Sequence, residues 1–384
     1  MYDYAYGLTD TELALKEAVR HFAESALQPV AIEMEQRGEF TWEVFREMGA
    51  LGLFKVLLPE SEGGMGLGAR AFVLVMEEIC RVSASLGVLF QGHSCMLQAF
   101  AAAASGAQRG NYLEKLSNAE LLLGACLTEP QAGSDLASLR TSARLEGGEW
   151  VLNGHKIFIS NGGKADLYIV AARTEEAPRH HGISLLLVPA NTQGLRIGRI
   201  EKKMGLLASP TSEVLFENCR VPATSLLGLR GTGFAVVEKS LNTARLGAAA
   251  AAIGLSQTAL DESLKYARER EQFGHSIYDF QAVQFMVVEM ATRLHLSRLA
   301  TYHAASKVDA GLDSSREVAM AKYTATDYAM QTTTDAIQVF GGAGYMQDYP
   351  VERLMRDAKI WQIVDGTNQI QRVIVGRSLA KHAD

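Results

Sequence analysis

Apolar residues recur at helical spacing from Asp10 to about Leu121: Leu13, Val19, Phe22 and Leu27 mark one face, and Val44, Met48 and Leu51 another. Pro59 and the glycine-rich stretch Gly63–Gly68 break this region with a loop. The texture changes at about Gly124. From there to Leu227 the apolar runs are short and bounded by Gly, Pro and Asn, which predicts strands at Glu149–Leu152, His155–Ile159, Leu167–Ala171, Ile183–Val188 and Glu213–Phe216. Asn153-Gly154 between two of these runs predicts a hairpin, because both central residues of a tight turn need positive φ. Asn161-Gly162-Gly163 predicts another turn. After Gly233 helical patterns return, with no proline between Phe234 and Arg270 and helices predicted over roughly Phe280–Ala310, Ser315–Phe340 and Asn368–Lys381. Such lengths suit an antiparallel bundle. The chain therefore divides into a helical region (1–122), a β region (123–228) and a helical bundle (229–384).

Composition narrows the class. A chain of 384 residues, 48% of them hydrophobic, can fill two or three cores. The net charge of −6 comes without a basic block, which argues against nucleic acid or an anionic membrane surface as partner. The longest apolar run, Leu246–Leu255, is rich in Ala and Gly and only half the roughly 20 residues of a membrane span. The first 30 residues mix Asp3, Asp10, Glu12 and Glu17 with apolar positions, unlike a signal or transit peptide. Cys80, Cys95, Cys126 and Cys219 show no metal-binding spacing and sit in apolar settings, as buried thiols of a reducing compartment do. The expectation is a cytoplasmic protein.

Five segments carry chemistry. In Leu127-Thr-Glu-Pro-Gln-Ala-Gly-Ser134, Pro130 and Gly133 imply a turn with free backbone N–H groups beside the hydroxyls of Thr128 and Ser134. Such a loop joins two strands or holds a heterocycle edge or a phosphate. Strand alternation places Phe158 and Ser160 on one face, against core or against a planar ring. Arg268-Glu-Arg270-Glu-Gln272-Phe273-Gly274 reads as a helix C-terminus with arginines in its last turn and Gly274 as cap. Gln338-Val-Phe-Gly-Gly342-Ala-Gly-Tyr345 reads as a helix stop; it fails as a dinucleotide fingerprint because position 347 is Gln and helix precedes it. Asp365-Gly366-Thr367 precedes the last helix, as an N-cap or as a positioned acid.

In this order, and over essentially the full length, the segments resemble the acyl-CoA dehydrogenases. The resemblance implies an α+β multidomain fold: an N-terminal helical domain, a middle β-barrel-like domain and a C-terminal four-helix bundle. It also implies FAD between the last two. Leu127, Thr128, Gly133, Ser134, Phe158 and Ser160 then meet the flavin half. Arg270, Gln272, Phe273, Gln281, Gln338 and Gly342 meet the pyrophosphate and adenosine half across a subunit interface, and Thr367 and Gln369 complete the cofactor site. Ser134, Asn242, Arg245 and Gly366 contact the acyl-CoA, and Ser94–Met96 and Ala244–Ala251 line its cavity. The resemblance further implies a homotetramer built as a dimer of dimers, with an electron-transferring flavoprotein as electron acceptor.

Desaturating a thioester between Cα and Cβ needs a base for the α-proton and an acceptor for the β-hydride, which the resemblance gives as Asp365 and flavin N5. A carboxylate of ordinary pKa, near 4, is a weak base for this task, so burial must raise it and donors must hold the enolate-like oxygen. By resemblance those donors are the backbone N–H of Asp365 and a ribityl hydroxyl. Most of the family carries Glu where this chain has Asp, which retracts the carboxylate by about 1.5 Å. Relatives acting on ring-containing acyl-CoAs also use Asp, so a cyclic or bulky acyl group such as cyclohexanecarboxyl-CoA is expected. Ala244 stands where relatives with an alternative base place Glu, so Asp365 stands alone. Competing readings are a dehydrogenase of carrier-protein-tethered acyl groups and a catalytically idle flavin-binding module.

Overall fold

The computed structural model describes residues 7–177 and 179–381. Six helices come first: α1 (Asp10–Phe22), α2 (Gln28–Arg37), α3 (Trp42–Ala50), α4 (Gly68–Val82), α5 (Ala84–Ala103) and α6 (Gly106–Ser117). Local chemistry sets their starts. Thr9 and Glu12 form a reciprocal capping box on α1, Ser105 and Gln108 do the same on α6, and the Ser83 hydroxyl accepts the Leu86 N–H on α5.

Eight strands follow: β1 (Leu123–Cys126), β2 (Ser142–Glu146), β3 (Glu149–Ser160), β4 (Leu167–Arg173), β5 (Ile183–Pro189), β6 (Leu195–Ile200), β7 (Thr211–Pro222) and β8 (Leu226–Leu227). They form one mixed sheet in the order β6-β7-β3-β2-β4-β5-β8, with β1 added parallel to β4. The hairpin expected at Asn153-Gly154 is not there. Both residues lie inside β3, at a register shift against β7, and the turn that joins β2 to β3 is Gly147-Gly148, at φ 61° and 89°. Gly154 serves packing instead: a Cβ there would come 2.2 Å from the Thr141 hydroxyl.

The chain then builds α7 (Gly233–Glu269), a two-residue-a-side hairpin of β9 (Glu271–Gln272) and β10 (His275–Ser276), α8 (Gln281–Asp309), α9 (Ser315–Phe340), α10 (Val351–Trp361) and α11 (Asn368–Lys381). Helix α9 packs against α7, α8, α10 and α11. Gly274 does not cap α7, which ends at Glu269; with Phe273 it makes the hairpin turn, at φ 55° and 87°. One continuous apolar core runs through all three regions. Helices α4 and α5 both lie on α7, and a Cβ at Gly254 would come 2.5 Å from the Glu77 carbonyl, so glycine permits that close crossing. Cys80, Cys95, Cys126 and Cys219 are free and buried, as expected. Among the described residues no helix is long and apolar enough to cross a membrane.

Candidate active site

Helix α5 runs between the sheet and the bundle, touching β1 and β3 as well as α7. Where these elements meet the turn between α10 and α11 lies a cavity of about 160 Å³. Gln91, Cys95 and Met96 of α5 form one wall, Thr128, Phe158 and Ser160 another, and Leu241, Ala244 and Asp365 close it. Of the wider stretches expected to line it, Ser94 and the residues after Ala244 do not border the space: Arg245 is half-buried, and Leu246–Ala252 pack into the core.

The α10–α11 turn sets Asp365 by its backbone. Asp365 and Gly366 both take left-handed conformations, at φ 58° and 90°. Asp365 is not the N-cap; Thr367 fills that role, its Oγ1 accepting the Ile370 N–H at 3.3 Å. Three donors pin the turn's carbonyls, Lys322 and Gln371 buried and Arg245 half-buried. Lys322 Nζ donates to Gly366 O at 3.0 Å and to Asn368 Oδ1 at 2.9 Å. Gln371 Nε2 donates to Gly366 O at 2.8 Å, and Arg245 Nε to Asp365 O at 3.3 Å. Asn242 supports Arg245 in turn, its Oδ1 accepting from Nη1 at 2.8 Å. Among the described residues the Asp365 carboxylate accepts one hydrogen bond, from Gln91 Nε2 at 2.7 Å. Its backbone N–H finds no acceptor among the described residues.

Burial pushes the Asp365 carboxyl above the usual range, outweighing Lys322, the Gln91 amide and Arg245, which pull it down. Burial also pushes Lys322 down to about 8 against the pull of Asp365, and lowers Arg245. An acid raised above its usual range and held among donors is better suited to accept a proton from a carbon acid.

A second wall is built around Phe158. Register slips between Lys156 and Ile159, and at that bulge Phe158 takes φ 57° and is 60% exposed. Simple alternation did not place it; the bulge did. The Asn161 Oδ1 at the end of the strand is buried without a partner. An open aromatic face, the Ser160 and Thr128 hydroxyls and an unpaired buried acceptor fit a flat heterocycle with a polar edge. The loop carrying Leu127 and Thr128 is held from beneath by Lys156, whose Nζ donates to Leu127 O at 3.0 Å and to Glu129 Oε1 at 2.8 Å. Gly133 and Ser134 lie outside the cavity, exposed, and Gln369 is exposed on α11.

A second group gathers elsewhere. Arg270, Gln272, Phe273, Gln281, Gln338 and Gly342 are all exposed, and Tyr266 stacked on Phe340 at 4.1 Å joins their two segments. Arg245 and Arg270 stand at two places along α7 and its C-cap, about 37 Å apart at 1.5 Å per residue. One chain does not bring the two groups together.

Residues 9–120, 124–219 and 231–380 match the family models for the N-terminal, middle and C-terminal domains of acyl-CoA dehydrogenase. The chain belongs to the acyl-CoA dehydrogenase family. It is 41% identical to an acyl-CoA dehydrogenase of Bacillus subtilis, over 97% of this chain and 98% of that one. A chain solved in work on the electron transferring flavoprotein of Acidaminococcus fermentans superposes with a TM-score of 0.95 at 40% identity, covering 100% of both. Butyryl-CoA dehydrogenase from Megasphaera elsdenii superposes with a TM-score of 0.94 at 35% identity, covering 99% of this chain and 100% of that one. Members of this family bind FAD, and the protein is an oxidoreductase. The residues that sequence reasoning missed are Gln91, Lys322, Gln371 and the Lys156–Glu129 pair, all buried polar groups; Gln91 and Lys322 meet partners distant in sequence, whereas Gln371 reaches back only five residues to Gly366.

Proposed function

We propose that this protein desaturates an acyl-CoA thioester between Cα and Cβ, with Asp365 taking the α-proton. The observation that carries the reading is Asp365 itself, the carboxylate of the cavity wall, raised by burial and lining the same cavity as Phe158 and Ser160. FAD, when bound against the Phe158 wall, supplies the acceptor for the β-hydride. The unpaired N–H of Asp365 is the protein's donor to the thioester oxygen, where charge develops as the proton leaves. Lys322, Gln371 and Arg245 hold the turn so that this N–H and the carboxylate keep a fixed relation.

A second groove, of about 350 Å³ and lined by Gln98, Ala102, Thr232, Lys239 and Ser240, shares Ser240 with the cavity and leads outward. It suits the pantetheine arm of CoA, with exposed Lys239 available to a phosphate. The exposed group around Arg270 and Gln338 serves the FAD of a neighbouring subunit, which requires at least a dimer. An electron-transferring flavoprotein is the proposed acceptor, supported by the Acidaminococcus neighbour. The expected cyclic acyl group draws no support from these relatives, of which the Megasphaera enzyme is named for straight-chain butyryl-CoA. Anaerobic flavin bleaching across straight, branched and alicyclic acyl-CoAs tests the reading. Rapid bleaching by at least one acyl-CoA is expected, and a flavin that none of them reduces overturns it.

A further inference from the structure

The α5 wall of the cavity holds a polar residue, Gln91, to which the reaction as described gives no part. Gln91 of α5 is 4% exposed, and its Nε2 donates to Asp365 Oδ2 at 2.7 Å. Its Oε1 is buried and has no hydrogen-bond partner among the described residues. Helix α7 makes the room for this amide: a Cβ at Gly247 would come 2.3 Å from Gln91 Oε1 and 2.9 Å from its Cδ. Glycine at 247 thus fixes where the amide lies, while the pinned turn fixes the Asp365 backbone. Between them only the carboxylate's own torsions are left to settle.

We propose that Gln91 is the positioning residue of Asp365: its amide holds Oδ2, so that Oδ1 is the oxygen offered to the substrate's α-proton. Among the described residues Oδ1 takes no hydrogen bond, so it is the free oxygen. An unrestrained carboxylate rotates, and an acid as short as Asp has little reach to spare, since about 1 Å of misplacement costs on the order of 100-fold in rate. A charge-assisted hydrogen bond from a second helix removes that freedom. The hold also survives the step. When the α C–H bond breaks, its electron pair stays on the substrate carbon and the proton forms an O–H bond at Oδ1. Oδ2 is then a carbonyl oxygen and still accepts from Nε2. Bound FAD would supply the acceptor for the β-hydride, so that the electron pair left on the α-carbon can form the double bond.

This inference rests on Asp365 as the base, and its test separates the two. The other charged or titratable groups facing Asp365 are Lys322 of α9, Arg245 of α7 and the Cys95 thiol of α5, which burial keeps protonated. All three remain in a Gln91→Leu variant. Two readouts on the FAD-loaded enzyme are needed: the pH dependence of anaerobic flavin reduction, and the infrared band of the protonated carboxyl without substrate, assigned by its loss in Asp365→Asn. Gln91 stabilises the charged carboxylate, so removing its N–H must raise the midpoint. Gln91→Leu is expected to move both midpoints up by about one to two pH units. The limiting rate should fall by about 10- to 100-fold, with acyl-CoA affinity held within about twofold. Gln91→Glu keeps the shape, sets a second carboxyl against the first and should move the midpoint further up. Gly247→Ala displaces an unaltered amide and should shift it in the same direction. Midpoints in Gln91→Leu that superpose on the parent's overturn the proposal. If the parent reduces its flavin with no acyl-CoA while the infrared midpoint still moves, the hold on Asp365 stands and the reaction reading falls.

Discussion

Phe158 and Asp365 both line one cavity, and both take a left-handed backbone that costs a residue with a Cβ about 1 to 3 kcal/mol. The fold holds each in place with buried polar groups. Beneath Phe158 the pair is Lys156 and Glu129, 0% and 3% exposed. Burial alone would raise Glu129, yet Lys156 and the N–H groups of Arg140 and Thr141 hold it down to about 2. Lys156→Met therefore strands a buried carboxylate, and about 3 kcal/mol of stability should be lost near neutral pH. Because Glu129 titrates lower in the folded protein than its ordinary 4.5, the pair's contribution is complete above that value and lost as pH falls toward 2. Melting the FAD-loaded variant beside the parent checks this. The gap in melting temperature should be several degrees near neutrality and shrink in acid, and coincident melting curves at neutral pH would contradict it.

At the scale of elements, a second buried cluster ties the three regions together. Asp357 of α10, 3% exposed, accepts the Leu206 N–H at 2.7 Å, and Glu35 of α2 accepts the neighbouring Leu207 N–H at 2.9 Å. Burial, then the charge of Glu35, push Asp357 up to about 7. The folded state thus favours the protonated acid. This contribution to stability is complete below its ordinary 3.8 and is lost as pH rises through about 7. Asp357→Asn keeps the acceptor and removes the charge, so its melting temperature should fall less than the parent's across that window. Parallel curves would contradict the assignment.

The same scale shows what the sequence discloses. Helices α9 and α11 begin and end where their patterns predict, and α8 is one residue shorter at each end than expected, because long proline-free runs bounded by Gly and Asn leave little choice. The sheet is harder. Gly147-Gly148 and Asn153-Gly154 are both turn signals in sequence; the pairing of β3 with β2 and β7 runs through the second, and Thr141 packs against Gly154 there. Asp365 was legible through the order of the surrounding segments. Gln91 was not, being one polar residue in an apolar helix whose partner lies 274 positions away, and Lys322 looks like a solvated charge until Gly366 arrives from 44 positions on.

For the whole molecule, the account requires two subunits per cofactor, since the cavity and the Arg270–Gln338 surface lie at separate places along α7 and α9. Co-expressing Arg270→Glu with Asp365→Asn tests this. Each variant alone should be inactive, while a two-fold symmetric hybrid carries one site with both residues intact, returning roughly a quarter of parental activity on random mixing. No recovery in the mixed population would mean that each chain builds its site alone. The most direct measurement concerns the base. FAD-loaded Asp365→Asn is mixed anaerobically with the acyl-CoA that bleaches the parent fastest, and flavin absorbance is followed. Full FAD content and bleaching slowed by about 100- to 10,000-fold are expected; bleaching at the parent's rate would mean that Asp365 is not the base.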